Sequence, residues 1–261
     1  MKKVAVITGA STGIGNITGK KLLEKGWIVY NLARREADGF KNIKTDVSIK
    51  HDVDISIAQV IKEEGQIDVL INNAGYGISG AIENTDACSI ERQFDVNFMG
   101  SVYATQAVIS HMRESGGGKI INISSMAAEF PIPFQSFYSA SKAAISSFTA
   151  SLGMEVKPFN IKVTTILPGD IKTDFTAKRE KNEKDDEKYG KRIEGAVSKM
   201  ERDEQSGKPP ETIAEVILKV INRKNPSPYI VVGWEYKLLS ILARILPKRL
   251  VYSIVYKMYG G

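Results

Sequence analysis

Val4-Ala5-Val6-Ile7-Thr8-Gly9-Ala10-Ser11-Thr12-Gly13-Ile14-Gly15 is a short apolar run that ends in a glycine-rich turn and opens a helical pattern. Four apolar residues bounded by such a turn read as a buried strand, and the pattern that follows to about Lys25 reads as a helix stopped by Gly26. Glycines at a strand-to-helix turn let the backbone bend tightly and approach a pyrophosphate, whose charge the helix N-terminus favours. Gly9, Ser11, Thr12, Gly13, Ile14 and Gly15 are therefore candidate nucleotide contacts.

Outward from this turn, apolar runs recur at 27–30, 67–71, 119–123 and 161–166, with helical stretches near 52–64, 86–113 and 137–156. Strand–helix alternation of this kind predicts an α/β fold, a parallel sheet covered by helices on both faces. No repeat or Pro/Gly/Ser linker divides the chain, so residues 1–261 read as one domain. Between Thr176 and Lys208 ten basic and nine acidic residues crowd together. That stretch reads as a solvated helical hairpin or mobile loop, or, over 174–208, as a lid on a substrate cleft. Pro209-Pro210-Glu211 then starts another helix.

The 261 residues carry 36 Lys and Arg against 30 Asp and Glu, a formal +6. Five of the basic residues and no acid lie in 237–261, which leaves +1 on the first 236. A generally basic, nucleic-acid-binding surface is not expected. One cysteine, Cys88, and two histidines, His51 and His111, supply neither a disulfide nor a Cys/His metal site. The N-terminus shows no secretory pattern and no run of about 18 apolar residues occurs, so a cytoplasmic location is expected.

The end of the second strand should meet an adenosine ribose, and there the chain reads Asn31-Leu32-Ala33-Arg34-Arg35. A carboxylate at that point would bind a free 2′-hydroxyl, whereas an arginine accommodates a 2′-phosphate. The expectation is NADPH over NADH, with Arg34 the main contact and Arg35 secondary; Glu36 and Asp38 nearby leave use of NADH open. Tyr138-Ser139-Ala140-Ser141-Lys142 places Tyr138 and Lys142 at i and i+4 on one helical face. A tyrosine with an ordinary pKa of about 10 becomes a useful acid or base only when a neighbouring positive charge lowers it. Ser125, just after a strand, is placed to hydrogen-bond the reacting oxygen.

Together these motifs resemble the short-chain dehydrogenase/reductase family, over roughly residues 2–232. The resemblance implies a Rossmann-type doubly wound sheet of about seven strands and reversible hydride transfer to or from a nicotinamide. It implies that Tyr138 is the acid/base, that Ser125 polarises the substrate oxygen, and that Lys142 holds the nicotinamide ribose while lowering the Tyr138 pKa. Asn97 matches the family's asparagine that anchors a water in a proton relay. Asn72-Asn73-Ala74-Gly75 matches the cofactor-supporting segment, with Asn73 near the adenosine. Asp46-Val47 resembles the adenine contact. Pro168-Gly169-Asp170-Ile171-Lys172-Thr173 resembles the turn beside the nicotinamide carboxamide, with Pro168, Gly169, Ile171 and Thr173 as contacts. Family resemblance also implies a homodimer or homotetramer built through the helices near 86–113 and 137–156. Two departures stand out. Only about a dozen residues join the second strand's end to the third's, so the usual helix there should be short or missing. Position 12 is Thr, where NADPH-using members often carry Arg or Lys.

Met126, Ala127, Phe130, Pro131, Phe134 and Phe137 flank the catalytic pair and favour a hydrophobic carbonyl or its alcohol as substrate. A second reading is a 3-oxoacyl-carrier-protein reductase; a third is an NADPH-binding sensor without catalysis. Over 234–261, Leu238, Leu242, Ile245, Val251, Ile254, Val255 and Met258 predict two amphipathic helices joined at Leu246-Pro247-Lys248. They would pack on the core or a partner subunit and cover the cleft, or lie on an anionic membrane through residues 237–261.

Overall fold

Strand β1 (Val4–Thr8) is buried along its whole length, as a central parallel strand covered on both faces must be. The computed structural model describes residues 2–181 and 188–260. After β1 come helix α1 (Gly13–Glu24), β2 (Ile28–Ala33), β3 (Lys41–Lys44), α2 (Lys50–Glu64), β4 (Val69–Asn72) and the short β5 (Ile78–Ser79). Next are α3 (Ala87–Phe94), α4 (Gly100–Glu114), β6 (Gly118–Ile123), α5 (Ser136–Glu155), β7 (Ile161–Leu167) and the short β8 (Glu180–Lys181). The chain closes with α6 (Arg192–Gln205), α7 (Glu211–Asn222), β9 (Tyr229–Val231), α8 (Trp234–Ile245) and α9 (Lys248–Tyr259).

Seven parallel strands form one sheet in the order β3-β2-β1-β4-β6-β7-β9. Successive side chains of a strand point to opposite faces. Val4 and Val6 accordingly join a core with α2, α4 and α5, while Ala5 and Ile7 join one with α1 and α7. The strand order reverses between β1 and β4, and in such sheets ligands bind at the carboxyl ends beside the reversal. The loops that leave β1 and β4 meet there.

No helix intervenes between β2 and β3, in line with the short connection. The helix expected over 86–113 is instead α3 and α4 joined by a π-helical turn at Asp95–Met99. Such turns often mark functional sites, and this one carries the fully buried Asn97. Part of the charged segment packs on the body, while most of its described charges stay exposed. Its β8 pairs in parallel with β5, its α6 packs on α9, and Arg179 is 5% exposed. Residues 182–187 of the expected lid lie outside the described residues.

The two tail helices form where the sequence places them, but α8 is turned differently from a core-packing helix. Ser240 and Ala243 face the body, while Leu238, Leu242 and Ile245 remain 40–75% exposed. Small residues permit close approach, and the approach is fixed by Tyr236, whose hydroxyl donates to Asp170 Oδ2 at 2.6 Å. Among the described residues no helix is long and apolar enough to cross a membrane.

Candidate active site

The glycine loop is held by polar groups from three strands. Asn31 Oδ1 accepts from the Ala10 N–H at 3.0 Å. Asn73 Nδ2 donates to the carbonyls of Thr8 and Gly9, while Thr8 Oγ1 accepts from the N–H groups of Asn73 and Ala74. Gly9 adopts φ +69°, and a Cβ there would lie 2.9 Å from Ala74 Cα, so glycine is required on both counts. Gly15 does not border the cavity described below; a Cβ at Gly15 would meet Asn73 Nδ2 at 2.6 Å, so its role is close packing beneath the loop. The first turn of α1 has no acidic residue and no side-chain cap, a helix N-terminus whose N–H groups suit an anion.

A cavity of about 900 Å³ runs from this loop across the sheet's carboxyl edge. At one end stand Arg34, Arg35, Asp46 and Val47, together with Arg92, which sequence reading did not single out. Burial alone would raise the Asp46 carboxyl. Bonds from the Ser48 hydroxyl and N–H, with the charges of Arg34 and Arg92, bring it below the usual carboxylate range. Along the middle lie Ser11, Thr12, Gly13, Ile14, Asn73, Ala74 and Gly75. Lys178 also reaches this stretch, donating to Thr12 Oγ1 at 3.1 Å. The charged segment thus delivers an ammonium to the position whose own side chain lacks one. These residues fit a dinucleotide: a glycine cradle that no side chain fills, a helix N-terminus, and arginines at one end.

Tyr138, Ser125 and Lys142 all border this cavity. Tyr138 enters on the first turn of α5, with Lys142 one turn on and Ser125 just beyond β6. Ser124 ties the two elements together by donating to the Lys142 carbonyl at 2.9 Å. Lys142 Nζ donates to the Ile123 carbonyl at 2.9 Å and lies 5.7 Å from the centre of the Tyr138 ring. Burial pushes the Lys142 ammonium down to about 8. Burial likewise pushes the Tyr138 phenol up to about 12, against a downward pull from its bond with Ser125. The expected lowering of Tyr138 by Lys142 is not visible in the protein by itself: burial dominates both groups, and the charges that act on the phenol are Glu204, which raises it, and Arg179, which lowers it.

Asn97 does not reach the cavity. Its Oδ1 accepts from the Tyr76 N–H at 3.0 Å, and its Nδ2 donates to the Tyr76 carbonyl and Ser141 Oγ. With its amide engaged on backbone and on α5, the side chain braces the Gly75-Tyr76 loop.

Pro168, Gly169, Ile171 and Thr173 border the cavity beside Tyr138. Gly169 has no room for a side chain, since the Tyr236 ring of α8 rests on it. Of the apolar residues flanking the catalytic pair, Met126, Ala127 and Phe130 line the cavity, whereas Phe134 packs against α6. The far wall belongs to the tail: Leu239, Leu242, Ala243, Leu246, Val251, Ile254, Val255 and Met258. Sequence reading missed Phe175, 5.4 Å from the Tyr138 ring centre, and the buried Arg179–Glu204 ion pair behind it. Charge density alone, the only signal there, suggested solvent.

A model of the short chain dehydrogenase family matches residues 3–184. A 3-ketodihydrosphingosine reductase from Bacteroides thetaiotaomicron is 40% identical over 229 residues, 86% of this chain and 85% of that protein. An NADPH-dependent 1-acyldihydroxyacetone phosphate reductase from Saccharomyces cerevisiae is 35% identical over 193 residues, 68% of this chain and 64% of that protein. Among solved structures, a short-chain dehydrogenase from Streptomyces avermitilis superposes with a TM-score of 0.84 at 28% identity, covering 98% of both chains. The chain belongs to the short-chain dehydrogenase family and is an NAD(P)-dependent oxidoreductase of alcohol and keto groups.

Proposed function

We propose that the protein is an NADPH-dependent reductase of a long-chain lipid ketone. One observation carries this reading: the cavity that holds Ser125 and Tyr138 continues into a wall built from the apolar side chains of α8 and α9. A sugar or small acid would leave that wall without a partner, whereas an acyl chain buries it. The relatives named as reductases of 3-ketodihydrosphingosine and of 1-acyldihydroxyacetone phosphate support the same class.

In this reading Gly9, Ser11, Thr12, Gly13 and Ile14 hold the cofactor's pyrophosphate, with Lys178 above them. Arg34 binds the 2′-phosphate, aided by Arg35, while Asp46 and Val47 border the adenine. Asn73, Ala74, Gly75, Pro168, Gly169, Ile171 and Thr173 frame the remainder. NADPH, when bound, supplies the hydride. Ser125 donates a hydrogen bond to the ketone oxygen, and Tyr138 passes its phenolic proton to that oxygen as negative charge develops. Lys142, held by the Ile123 carbonyl, sets a positive charge behind the phenol and binds the ribose hydroxyls. Asn97 positions the loop through Tyr76. Tyr236 and the tail exclude water from the reacting end.

The test is NADPH oxidation by the purified full chain against 3-ketodihydrosphingosine, 1-acyldihydroxyacetone phosphate, an acyl-carrier-protein 3-oxo thioester and short ketones. The long-chain free lipids should turn over fastest. Preference for the carrier-protein thioester would overturn the lipid reading in favour of a 3-oxoacyl-carrier-protein reductase, and inactivity on every ketone would point to a sensor.

A further inference from the structure

Trp234, Leu238, Ile241 and Ile245 recur at i, i+4, i+7 and i+11 of α8, so they form one stripe along the helix. That stripe faces outward: Trp234 is 76% exposed, Leu238 49%, Ile241 54% and Ile245 75%. On α9 the same holds for Leu250, Ile254 and Met258 at i, i+4 and i+8, each close to half exposed, while Val251 and Val255 turn to the body. Two consecutive helices thus bury their inner residues and present their large aliphatic side chains to the outside. An apolar patch of this extent marks a surface with a partner.

The charges around the patch indicate which partner. Lys237, Arg244, Lys248, Arg249 and Lys257 accompany it, with no acidic residue from 237 onward. Among the described residues only Arg244 comes within ion-pair distance of a carboxylate, at 3.8 Å from Glu129. Unpaired cations beside an exposed aliphatic and aromatic face match an anionic bilayer, whose headgroups take the charge while its acyl chains take the face. A second copy of this chain fits poorly, because a two-fold contact would set these cations against their own copies with no acid between them. Each helix has twelve residues, too few to span a bilayer but suited to lying in its surface.

Leu239, Leu242, Ile254 and Met258 are exposed and yet line the catalytic cavity, so they form its rim. The patch and the cavity mouth are continuous. We propose that α8 and α9 seat the protein on an anionic phospholipid bilayer with the cavity opening onto the membrane, so that a lipid substrate enters without crossing water. The entry route rests on the lipid-ketone reading above; the docking does not.

Flotation of the full chain with vesicles of phosphatidylcholine, with or without phosphatidylglycerol, tests it. The protein should float with the mixed vesicles, less with pure phosphatidylcholine, and less at high salt. Lys248→Gln and Lys257→Gln should each weaken binding by about fivefold. Ile241→Glu combined with Ile245→Glu should abolish flotation while NADPH affinity and turnover of a short, water-soluble ketone stay unchanged, since neither residue borders the cavity. The same pair should suppress turnover of a vesicle-embedded keto-lipid. Equal flotation of the wild type and this double variant overturns the docking, as does a non-floating wild type that forms a dimer the double variant splits. If docking holds and the embedded keto-lipid is never reduced, the substrate reading alone fails.

Discussion

The body through β9 and the two tail helices after it border the same cavity and obey different rules. In the body, apolar side chains point inward: β1 sends alternate residues to two cores, and the glycine loop bends as its φ angles demand. In the tail, the strongest apolar stripe points outward while Ser240 and Ala243 face the body. An amphipathic helix states that it has an apolar side; it does not state whether that side meets protein or lipid. Under the proposed function the body would carry what every substrate shares, and the tail what distinguishes one substrate from another.

That division can be broken most severely at Tyr138. Tyr138→Phe should lower kcat by about 10²–10⁴-fold for every ketone, with NADPH affinity retained by fluorescence titration. Near-normal turnover would remove the assigned acid. A tail substitution should act selectively instead. Leu242→Asp places a charge on the cavity wall and should raise KM for a long-chain ketone by about tenfold or more, leaving a short ketone and NADPH little affected. An equal effect on both substrates would erase the distinction between the two regions.

Arg34→Ala probes the other end of the cavity. It should reduce the preference for NADPH over NADH by about tenfold, measured as the ratio of kcat/KM values, through loss of a charge-assisted bond. A smaller effect concerns stability. The buried Lys142 has a folded pKa of about 8 against an ordinary 10.5, so between those values the unfolded chain holds a proton the folded one has released. Stability therefore gains with pH through that window, and below about pH 8 the burial penalty is fully present. Lys142→Met should raise the Tm of the cofactor-free protein at pH 7, and the gain should shrink toward pH 10 as turnover remains abolished.

Much of the site was legible because its motifs are local. Tyr138 and Lys142 share a helical face at fixed spacing, and Gly9 and Gly13 lie in a turn that only glycine forms readily. What escaped depends on segments far apart in the chain. Lys178 meets Thr12 across 166 residues, Tyr236 rests on Gly169 across 67, and Arg179 finds Glu204 on a later helix. A run of alternating charges reads as solvated until a partner of opposite sign is brought against it. Asn97 shows the same limit at short range: its residue type does not reveal that the π-helical turn directs its amide at Tyr76.

By itself the sequence determined the strand order's building blocks, the glycine turn after the first strand, the candidate trio Ser125, Tyr138 and Lys142, and the presence of two basic amphipathic helices at the end. Each follows from backbone sterics or a side-chain period acting over a few residues. Only the tertiary structure decided that Lys178, Glu180 and Glu204 of the charged segment border the cavity, that burial dominates the resting pKa values of Tyr138 and Lys142, and that the tail lines the cavity while its aliphatic stripe faces out. Those outcomes depend on which surfaces are removed from water, a property of the whole chain's packing and not of any stretch within it.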